Sequence, residues 1–143
     1  KVGSVQVDNL FDVKSYHTVH HMDSTIKAIK KAEICTATIV KDCFPPGSMT
    51  GTPKIRAMEI CSDVEKQKRG VYSGALGWFG GDGSCDLSVV IRTLVVQGTK
   101  FEFQVGGAIT YDSDPQAELD ETIAKSRALL HILDISESTI RAL

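Results

Sequence analysis

The sequence predicts an α+β fold in which an antiparallel sheet is flanked by helices. Three segments between residues 71 and 105 are rich in β-branched and aromatic residues and are separated by short glycine-containing turns. Strands joined by turns this short pair in the antiparallel direction. Apolar residues recur at helical spacing near residues 17–31, 53–66 and 116–133, which predicts three flanking helices.

The N-terminal part of the chain is predicted to form a strand followed by a helix. Residues 1–16 alternate weakly between apolar and polar side chains, which favours a strand and a turn. Residues 17–31 carry apolar side chains at helical spacing, namely Val19, Met22, Ile26 and Ile29. Residues 33–41 are rich in β-branched residues and fit either a helix or a strand.

A segment rich in proline and glycine, residues 44–53, is predicted to be a structured loop. Thr52 is the expected N-cap of the next helix and Pro53 its expected first residue. We expect this helix to end near Lys66. Hydroxyls and free backbone N–H groups at its N-terminus favour an anion, although an ordinary capped turn explains the same residues.

The remaining segments are predicted to form a meander and a final helix. The strand-like stretches are residues 71–79, 87–96 and 100–105. Turns at residues 80–84 and 97–99 would join them in antiparallel order. Asp114 and Pro115 begin the last helix, and residues 136–143 fit a closing helical turn.

The composition excludes several classes of protein. With 16 basic and 18 acidic residues, the net charge of −2 gives no nucleic-acid footprint. No apolar run is long enough to span a membrane and no signal peptide is evident, so we expect a cytoplasmic protein. The four cysteines lack zinc spacing and are expected to be reduced thiols. The absence of a starting Met favours a processed or truncated start.

Three charged residues of the last helix form a candidate metal and substrate site. Glu118, Glu121 and Lys125 follow one another at spacings of three and four, which puts them on one helix face. Two carboxylates one turn apart offer the hard oxygen ligands that Mg²⁺ prefers. A solvated Glu–Lys pair explains the same spacing and is the more common case on surfaces.

Arg92 is a candidate anion ligand because it stands among the apolar residues of the predicted strand 87–96. A guanidinium in such surroundings is costly unless it meets a carboxylate or a phosphate. An internal salt bridge, or a place on the solvated face of the sheet, would satisfy it equally well.

Gly107 and Ala108 follow the last predicted strand, where glycine lets a ligand approach the backbone or marks a β-bulge. Histidine is the usual acid–base residue near neutral pH, and three histidines occur at positions 17, 20 and 21. No partner Glu completes a zinc motif there, and a lone helical histidine is more often structural.

Five motifs follow one another along nearly the whole chain. They are VHHM (19–22), GSMTGTPKIRAME (47–59), RGVYSGALGWF (69–79), VIRT (90–93), and GGAI (106–109) with the acidic helix behind it. In this order they resemble the chorismate-binding enzyme family, which includes anthranilate, aminodeoxychorismate, isochorismate and salicylate synthases.

The resemblance implies roles in substrate binding and proton transfer. His21 matches the active-site histidine near the chorismate ring. Tyr72 and Arg92 match the pair that binds the enolpyruvyl carboxylate. Ser48 matches a hydroxyl position beside the ring carboxylate and the metal.

The resemblance also implies a metal site and backbone donors. The backbone of Gly107 and Ala108 would donate to the substrate, and Lys125 would contact the ring carboxylate. Glu118 matches a direct Mg²⁺ ligand, and Glu121 an adjacent one that acts directly or through water. Mg²⁺ would assist the loss of the ring hydroxyl as a Lewis acid.

At the level of the domain, the resemblance implies that residues 1–143 form the C-terminal portion of a larger two-sheet chorismate-binding domain. Family members place a further metal-binding Glu upstream, and aminodeoxychorismate synthases also place a nucleophilic Lys there. The residues in these motifs are more similar to those of the aminodeoxychorismate synthases, which serve p-aminobenzoate and folate synthesis. Anthranilate synthase is the alternative. A glutamine amidotransferase that supplies ammonia is the implied partner.

For the chain in isolation, we expect self-association and no turnover. Residues 87–92 carry apolar side chains on both strand faces, so the strand needs cover on both sides. A non-catalytic module of the same family is the alternative of another class. Such a module would have no need for the charged residues named above.

Overall fold

The computed structural model describes residues 1–17 and 20–138, and within them it contains six strands and four helices. In chain order the elements are β1 (Gln6–Ser15), β2 (His20–Lys27), α1 (Thr36–Cys43), α2 (Gly47–Thr50), α3 (Lys54–Val64), β3 (Ala75–Phe79), β4 (Cys85–Val89), β5 (Val95–Gln97), β6 (Lys100–Glu102) and α4 (Pro115–Ile132). The combination of helices with small antiparallel sheets confirms the predicted α+β class. The chain divides into two compact units, Lys1–Ile39 and Val40–Leu143.

The first unit is built on the antiparallel hairpin of β1 and β2. Lys14 pairs with Asp23 across the two strands at 2.7 Å. This ion pair lowers the pKa of Asp23 and raises that of Lys14, in each case mainly through the hydrogen bond between them. Both side chains are exposed, so the pair fixes strand register more than it stabilises the fold.

The predicted helix over residues 17–31 is wrong, because β2 occupies most of that range. Met22 and Ile26 are four residues apart, and this spacing puts two side chains on one face of a strand as well as of a helix. Pairing with β1 decides between the two in favour of the strand. Val19, also part of the predicted pattern, lies outside the described residues.

The segment that the sequence left open, residues 33–41, is helical from Thr36 onward as α1. Lys54, the first residue of α3, donates to the carbonyl oxygens of Asp42 at 3.2 Å and Cys43 at 3.1 Å. The last carbonyls of a helix have no partner within it, so this lysine caps the end of α1.

The loop and helix after α1 follow the prediction with two corrections. A single helical turn, α2, lies inside the predicted loop. The N-cap of α3 is Pro53 rather than Thr52, because Pro53 still has extended backbone angles and the helix begins at Lys54. Gly51 has a φ of 121°, and an added Cβ would come within 2.9 Å of Ala57, so this turn requires glycine.

The predicted three-stranded meander is replaced by two separate hairpins, β3–β4 and β5–β6. The predicted strand 71–79 begins only at Ala75, since Ser73 has a φ of 66°. The predicted strand 87–96 is divided because Arg92 has a φ of 50°, which no strand residue adopts. The predicted strand 100–105 ends at Glu102. All the observed pairings are antiparallel, as predicted.

The final helix is confirmed over Pro115–Ile132. Asp114 is its N-cap and accepts from the backbone N–H of Ala117 at 2.8 Å. Buried apolar side chains are few in the described part of the chain, and all lie on this helix: Ile123, Leu129 and Leu130. Residues 139–143 of the predicted closing turn lie outside the described residues. Among the described helices, none is long and apolar enough to cross a membrane.

Candidate active site

A cleft of about 830 Å³ opens in the second unit. Its walls come from α2, from the end of α3 with the turn that follows it, from the chain after β4 and after β6, and from α4. All six residues predicted to contact a substrate line it: Ser48, Tyr72, Arg92, Gly107, Ala108 and Lys125. Residues far apart in sequence therefore meet in one concave site.

Arg92 lines the cleft with its hydrogen-bonding capacity unused. It is half-buried, and among the described residues it has neither an ion-pair partner nor a hydrogen-bond partner. Within that part of the chain, the internal salt bridge considered from the sequence is wrong. A half-buried guanidinium without a counterion favours an anion in the cleft, and its planar fork suits a carboxylate.

Arg69 lines the same cleft, but its guanidinium is fully hydrogen-bonded to other residues of the protein. Its Nε donates to Glu65 Oε2 at 2.8 Å, and one Nη donates to the Met49 carbonyl at 2.7 Å and to Ser73 Oγ at 3.1 Å. The other Nη contacts Glu65 Oε1 and the Cys61 thiol. The hydrogen bonds between Arg69 and Glu65 lower the pKa of Glu65 and raise that of Arg69, so both are charged at neutral pH.

Sequence reasoning gave Arg69 no role, although it lies in the third of the five motifs. The helical rule that residues i and i+4 are neighbours did not indicate its ion pair with Glu65, because α3 ends at Val64 and both residues lie beyond it. The contact with Met49 joins residues 20 apart in sequence, and the contact with Ser73 lies in the non-helical segment after α3. No local pattern could have indicated them.

Gly106 and Gly107 bring the backbone into close contact with two other site residues. A Cβ on Gly106 would lie 3.0 Å from the Tyr72 hydroxyl oxygen. A Cβ on Gly107 would lie 3.1 Å from Glu118 Oε2. The absence of side chains thus lets this segment run between the tyrosine of the cleft and the carboxylate of α4.

The acidic face of α4 adjoins this segment. Lys125 forms an ion pair with Glu121 and also donates to the Gly106 carbonyl at 3.4 Å. The Glu–Lys pair weighed as an ordinary surface feature is therefore present, yet its lysine also lines the cleft. Glu118 lies in an adjoining depression with Thr122, and its Oε1 accepts from Ser113 Oγ at 2.6 Å.

Glu118 and Glu121 fit a magnesium ion by the chemistry of their donors. No group of three or more His, Cys, Asp or Glu side chains that could hold a metal occurs within residues 1–17 and 20–138. Mg²⁺ commonly takes only one or two carboxylates and completes its shell with water and substrate oxygens. The hydrogen bond from Ser113 would orient Glu118 as an outer-shell contact.

His21 belongs to the first unit, where β2 places it opposite Lys14 of β1. It is half-buried, and its ring meets that of Tyr16 edge to face, with 5.4 Å between the ring centroids. The neighbouring His20 shares a hydrogen bond with Ser15 Oγ at 3.0 Å. The role of His21 as an acid–base residue stays a prediction.

Comparison with known proteins identifies the family of the chain. The sequence profile described as chorismate binding enzyme matches residues 1–131. The chain belongs to the chorismate-binding enzyme family. The resemblance drawn from the five motifs is thereby confirmed.

Individual relatives of the chorismate-binding family support the same assignment. The chain is 47% identical to the aminodeoxychorismate synthase of Streptomyces griseus over 94% of its own length and 18% of that protein. It is 48% identical to the chloroplastic aminodeoxychorismate synthase of Arabidopsis thaliana over 88% of its own length and 14% of that protein. It is 42% identical to anthranilate synthase component 1 of Streptomyces coelicolor over 90% of its own length and 25% of that protein. The chain thus spans about a quarter or less of these relatives.

Solved structures of the family share the fold. Anthranilate synthase component I from Streptococcus pneumoniae superposes with a TM-score of 0.76 at 38% identity, over 87% of this chain and 28% of that one. A Bacillus anthracis chain described as a 2,3-dihydroxybenzoate-specific isochorismate synthase gives a TM-score of 0.84 at 24% identity, over 94% and 36%. The second likeness concerns the fold alone.

Proposed function

We propose that these residues form part of the active site of an aminodeoxychorismate synthase, which converts chorismate to 4-amino-4-deoxychorismate. The observation that carries the proposal is the cleft in which Arg92 meets no counterion among residues 1–17 and 20–138, with Lys125 on another wall. Chorismate is a dianion, so a site for it needs separate positive groups for two carboxylates.

Arg92 is the proposed ligand of the enolpyruvyl carboxylate. Its guanidinium offers two parallel N–H donors, and Tyr72 in the same cleft adds a hydroxyl. The carboxylate does not react, so this contact serves affinity and orientation. Among the described residues nothing offsets the charge of this half-buried guanidinium, and a bound anion would relieve that cost.

Lys125 is the proposed ligand of the ring carboxylate, and its present partner suggests how the site changes on binding. Without substrate, Lys125 and Glu121 neutralise each other. Glu118 and Glu121 would hold the magnesium ion, and a Glu121 carboxylate engaged there would no longer neutralise Lys125. Lys125 would then be free for the ring carboxylate, so metal and substrate would bind together.

The remaining proposed contacts orient the ring. Gly107 and Ala108 line the cleft, and their backbone N–H groups have no hydrogen-bond acceptor among the described residues. They can donate to substrate oxygens at no desolvation cost to a side chain. Ser48 offers a hydroxyl, and His21 is the proposed acid–base group. When bound, Mg²⁺ supplies Lewis-acid assistance to the departure of the ring hydroxyl.

The choice of the aminodeoxychorismate branch rests on the relatives. Identities of 47% and 48% to two aminodeoxychorismate synthases exceed the 38% and 42% found for two anthranilate synthases. Anthranilate synthase is the alternative within the family. A glutamine amidotransferase is the proposed source of ammonia.

We also propose that the chain works as the C-terminal portion of a larger chorismate-binding domain. Only three apolar side chains are buried among the described residues, whereas a domain of 143 residues ordinarily has a substantial core. Further family residues would cover the exposed apolar surface and complete the metal shell.

Product identification tests the proposal. The natural protein that carries these residues is incubated with chorismate, Mg²⁺ and an ammonium salt, and the products are separated and identified by mass spectrometry. We expect 4-amino-4-deoxychorismate, with no product when a chelator replaces Mg²⁺. Anthranilate would move the protein to the alternative branch, and binding of chorismate without conversion would support the non-catalytic module.

A further inference from the structure

Two arginines line one cleft but differ in how many donors they have left. Arginine carries five N–H donors. Those of Arg69 meet five acceptor contacts, two of them on the Glu65 carboxylate. Arg92 uses none within the described residues. Arg69 therefore has no donor to offer a substrate anion, although it lies where a substrate would bind.

The acceptors of Arg69 connect it to the residues that do face the cleft. The Met49 carbonyl belongs to the residue after Ser48, in the helical turn α2. Ser73, which is buried, follows Tyr72 in the chain, and the Tyr72 ring lies under the Arg69 guanidinium with its centroid 5.9 Å away. The Arg69 side chain thus connects the α2 turn and the segment that contains Tyr72 to the end of α3.

Arg69 is itself held from two sides. Glu65, the residue after α3, accepts hydrogen bonds from Nε and one Nη of Arg69 through its two carboxylate oxygens. The side-chain amide of Gln104 donates to the Arg69 carbonyl at 3.1 Å and to that of Lys68 at 3.2 Å. A group restrained at its backbone and at its head can transmit position to its neighbours.

The charge of Arg69 has a second effect on the cleft. The Glu65 carboxylate lines the same wall and would repel a dianion if it stood alone. Arg69 cancels it locally. The net attraction for anions then lies at Arg92, on another wall, and at Lys125 once Glu121 no longer neutralises it.

We propose that Arg69 is a positioning residue that fixes Ser48 and Tyr72 for chorismate, and that Glu65 prevents it from acting as an anion ligand. This inference rests on the proposed function. It assigns to Arg69 a geometric role that depends on its forked shape as well as on its charge.

Four variants of the natural protein separate geometry from charge. Arg69→Gln removes the positive charge and the forked donor group, whereas Arg69→Lys keeps the charge but loses the fork. The double variant Glu65→Gln/Arg69→Gln restores electrical neutrality at this pair but lacks the hydrogen bonds of the guanidinium. Arg56→Gln is the matched control, because Arg56 is exposed on α3, pairs with Glu59 at 2.9 Å and lies outside the cleft.

We measure kcat and KM for chorismate with ammonia, and chorismate binding by calorimetry. Arg69→Gln should lower kcat/KM by about 30-fold to 100-fold, the scale of an effect from misplaced contact groups. Arg69→Lys and the double variant should stay within about threefold of Arg69→Gln, since neither restores the fork. Arg56→Gln should stay within about twofold of the unsubstituted protein, because an exposed pair contributes little.

Recovery of kcat/KM in Arg69→Lys or in the double variant would overturn the inference, because charge alone would then explain the residue. An unaltered Arg69→Gln would overturn it as well. If Arg69→Gln does not fold, Ser73→Ala replaces it, and we expect about a tenfold loss of kcat/KM, the lower end of the range for one hydrogen bond to a charged group. A Ser73→Ala variant as active as the unsubstituted protein would then overturn the inference. If the unsubstituted protein neither binds nor converts chorismate, the proposed function fails instead.

Discussion

At the scale of single residues, the free guanidinium of Arg92 is the feature from which substrate affinity follows. Its backbone conformation, with a φ of 50°, ends the run of extended residues after β4 and places the residue in the cleft wall. Non-glycine residues at positive φ are uncommon and are often retained at functional sites. The sequence identified the residue through its apolar neighbours and its motif, but only the fold showed that no carboxylate of the described chain meets it.

Replacing Arg92 with alanine should mainly raise KM for chorismate in the natural protein. A hydrogen-bonded charged pair is worth about 2 kcal/mol, so we expect KM to rise about 30-fold while kcat changes little. Arg127→Ala is the control, because Arg127 is exposed on α4 and pairs with Glu137 at 2.9 Å. An unchanged KM in Arg92→Ala would contradict the role proposed for this residue.

Glu118 is the second residue whose replacement is informative. Glu118→Gln keeps the shape and the bond from Ser113 but weakens the proposed metal ligand. We expect the loss of most activity at every Mg²⁺ concentration with an unaltered fold, since metal assistance is worth several kcal/mol. Glu59→Gln, on the exposed face of α3, is the control. Turnover equal to that of the unsubstituted protein at saturating Mg²⁺ would refute the metal assignment.

At the scale of secondary-structure elements, local pattern predicted α4 well and the N-terminal part poorly. The N-cap Asp114, a proline in the first turn and an apolar face together define α4 without tertiary help. In β2 the apolar spacing of four residues suits both a helix and a strand, and only the partner strand decides. The division of the predicted strand 87–96 depends on the conformation of one residue, which no periodicity records.

The β3–β4 hairpin offers a test of close backbone packing. Gly77 pairs with Leu87, and an added Cβ would lie 1.9 Å from the Asp86 carbonyl oxygen. Gly77→Ala must therefore displace the backbone, and we expect a loss of about 1–3 kcal/mol of stability. Gly81→Ala, in the same hairpin with no atom within 4 Å of the added Cβ, is the control. The free energies of unfolding are measured in urea, and equal values for the two variants would contradict the observed register.

At the scale of the whole molecule, the limited core decides how the chain should behave alone. Several large apolar side chains of the second unit are more than half exposed, including Leu76, Trp78 and Phe79 of β3. Exposed apolar surface and open strand edges favour association. The sequence had indicated this through strand faces that are apolar on both sides.

The 143-residue chain in isolation should therefore self-associate or pack loosely and should not convert chorismate. Sedimentation velocity at several concentrations, together with the product assay, tests both statements. The natural protein measured under the same conditions is the control. A compact monomer would contradict the expected association, and measurable turnover would contradict the proposal that the chain needs further residues.

A crystal structure of the natural protein with chorismate and Mg²⁺ would show directly which residues bind the substrate. We expect chorismate in the cleft, with its enolpyruvyl carboxylate on Arg92 and Tyr72 and its ring carboxylate beside Lys125. The metal should lie on Glu118 and Glu121, and Arg69 should still be bound to Glu65. Chorismate bound outside the cleft, or inside it without contact to Arg92, would contradict the roles proposed for these residues.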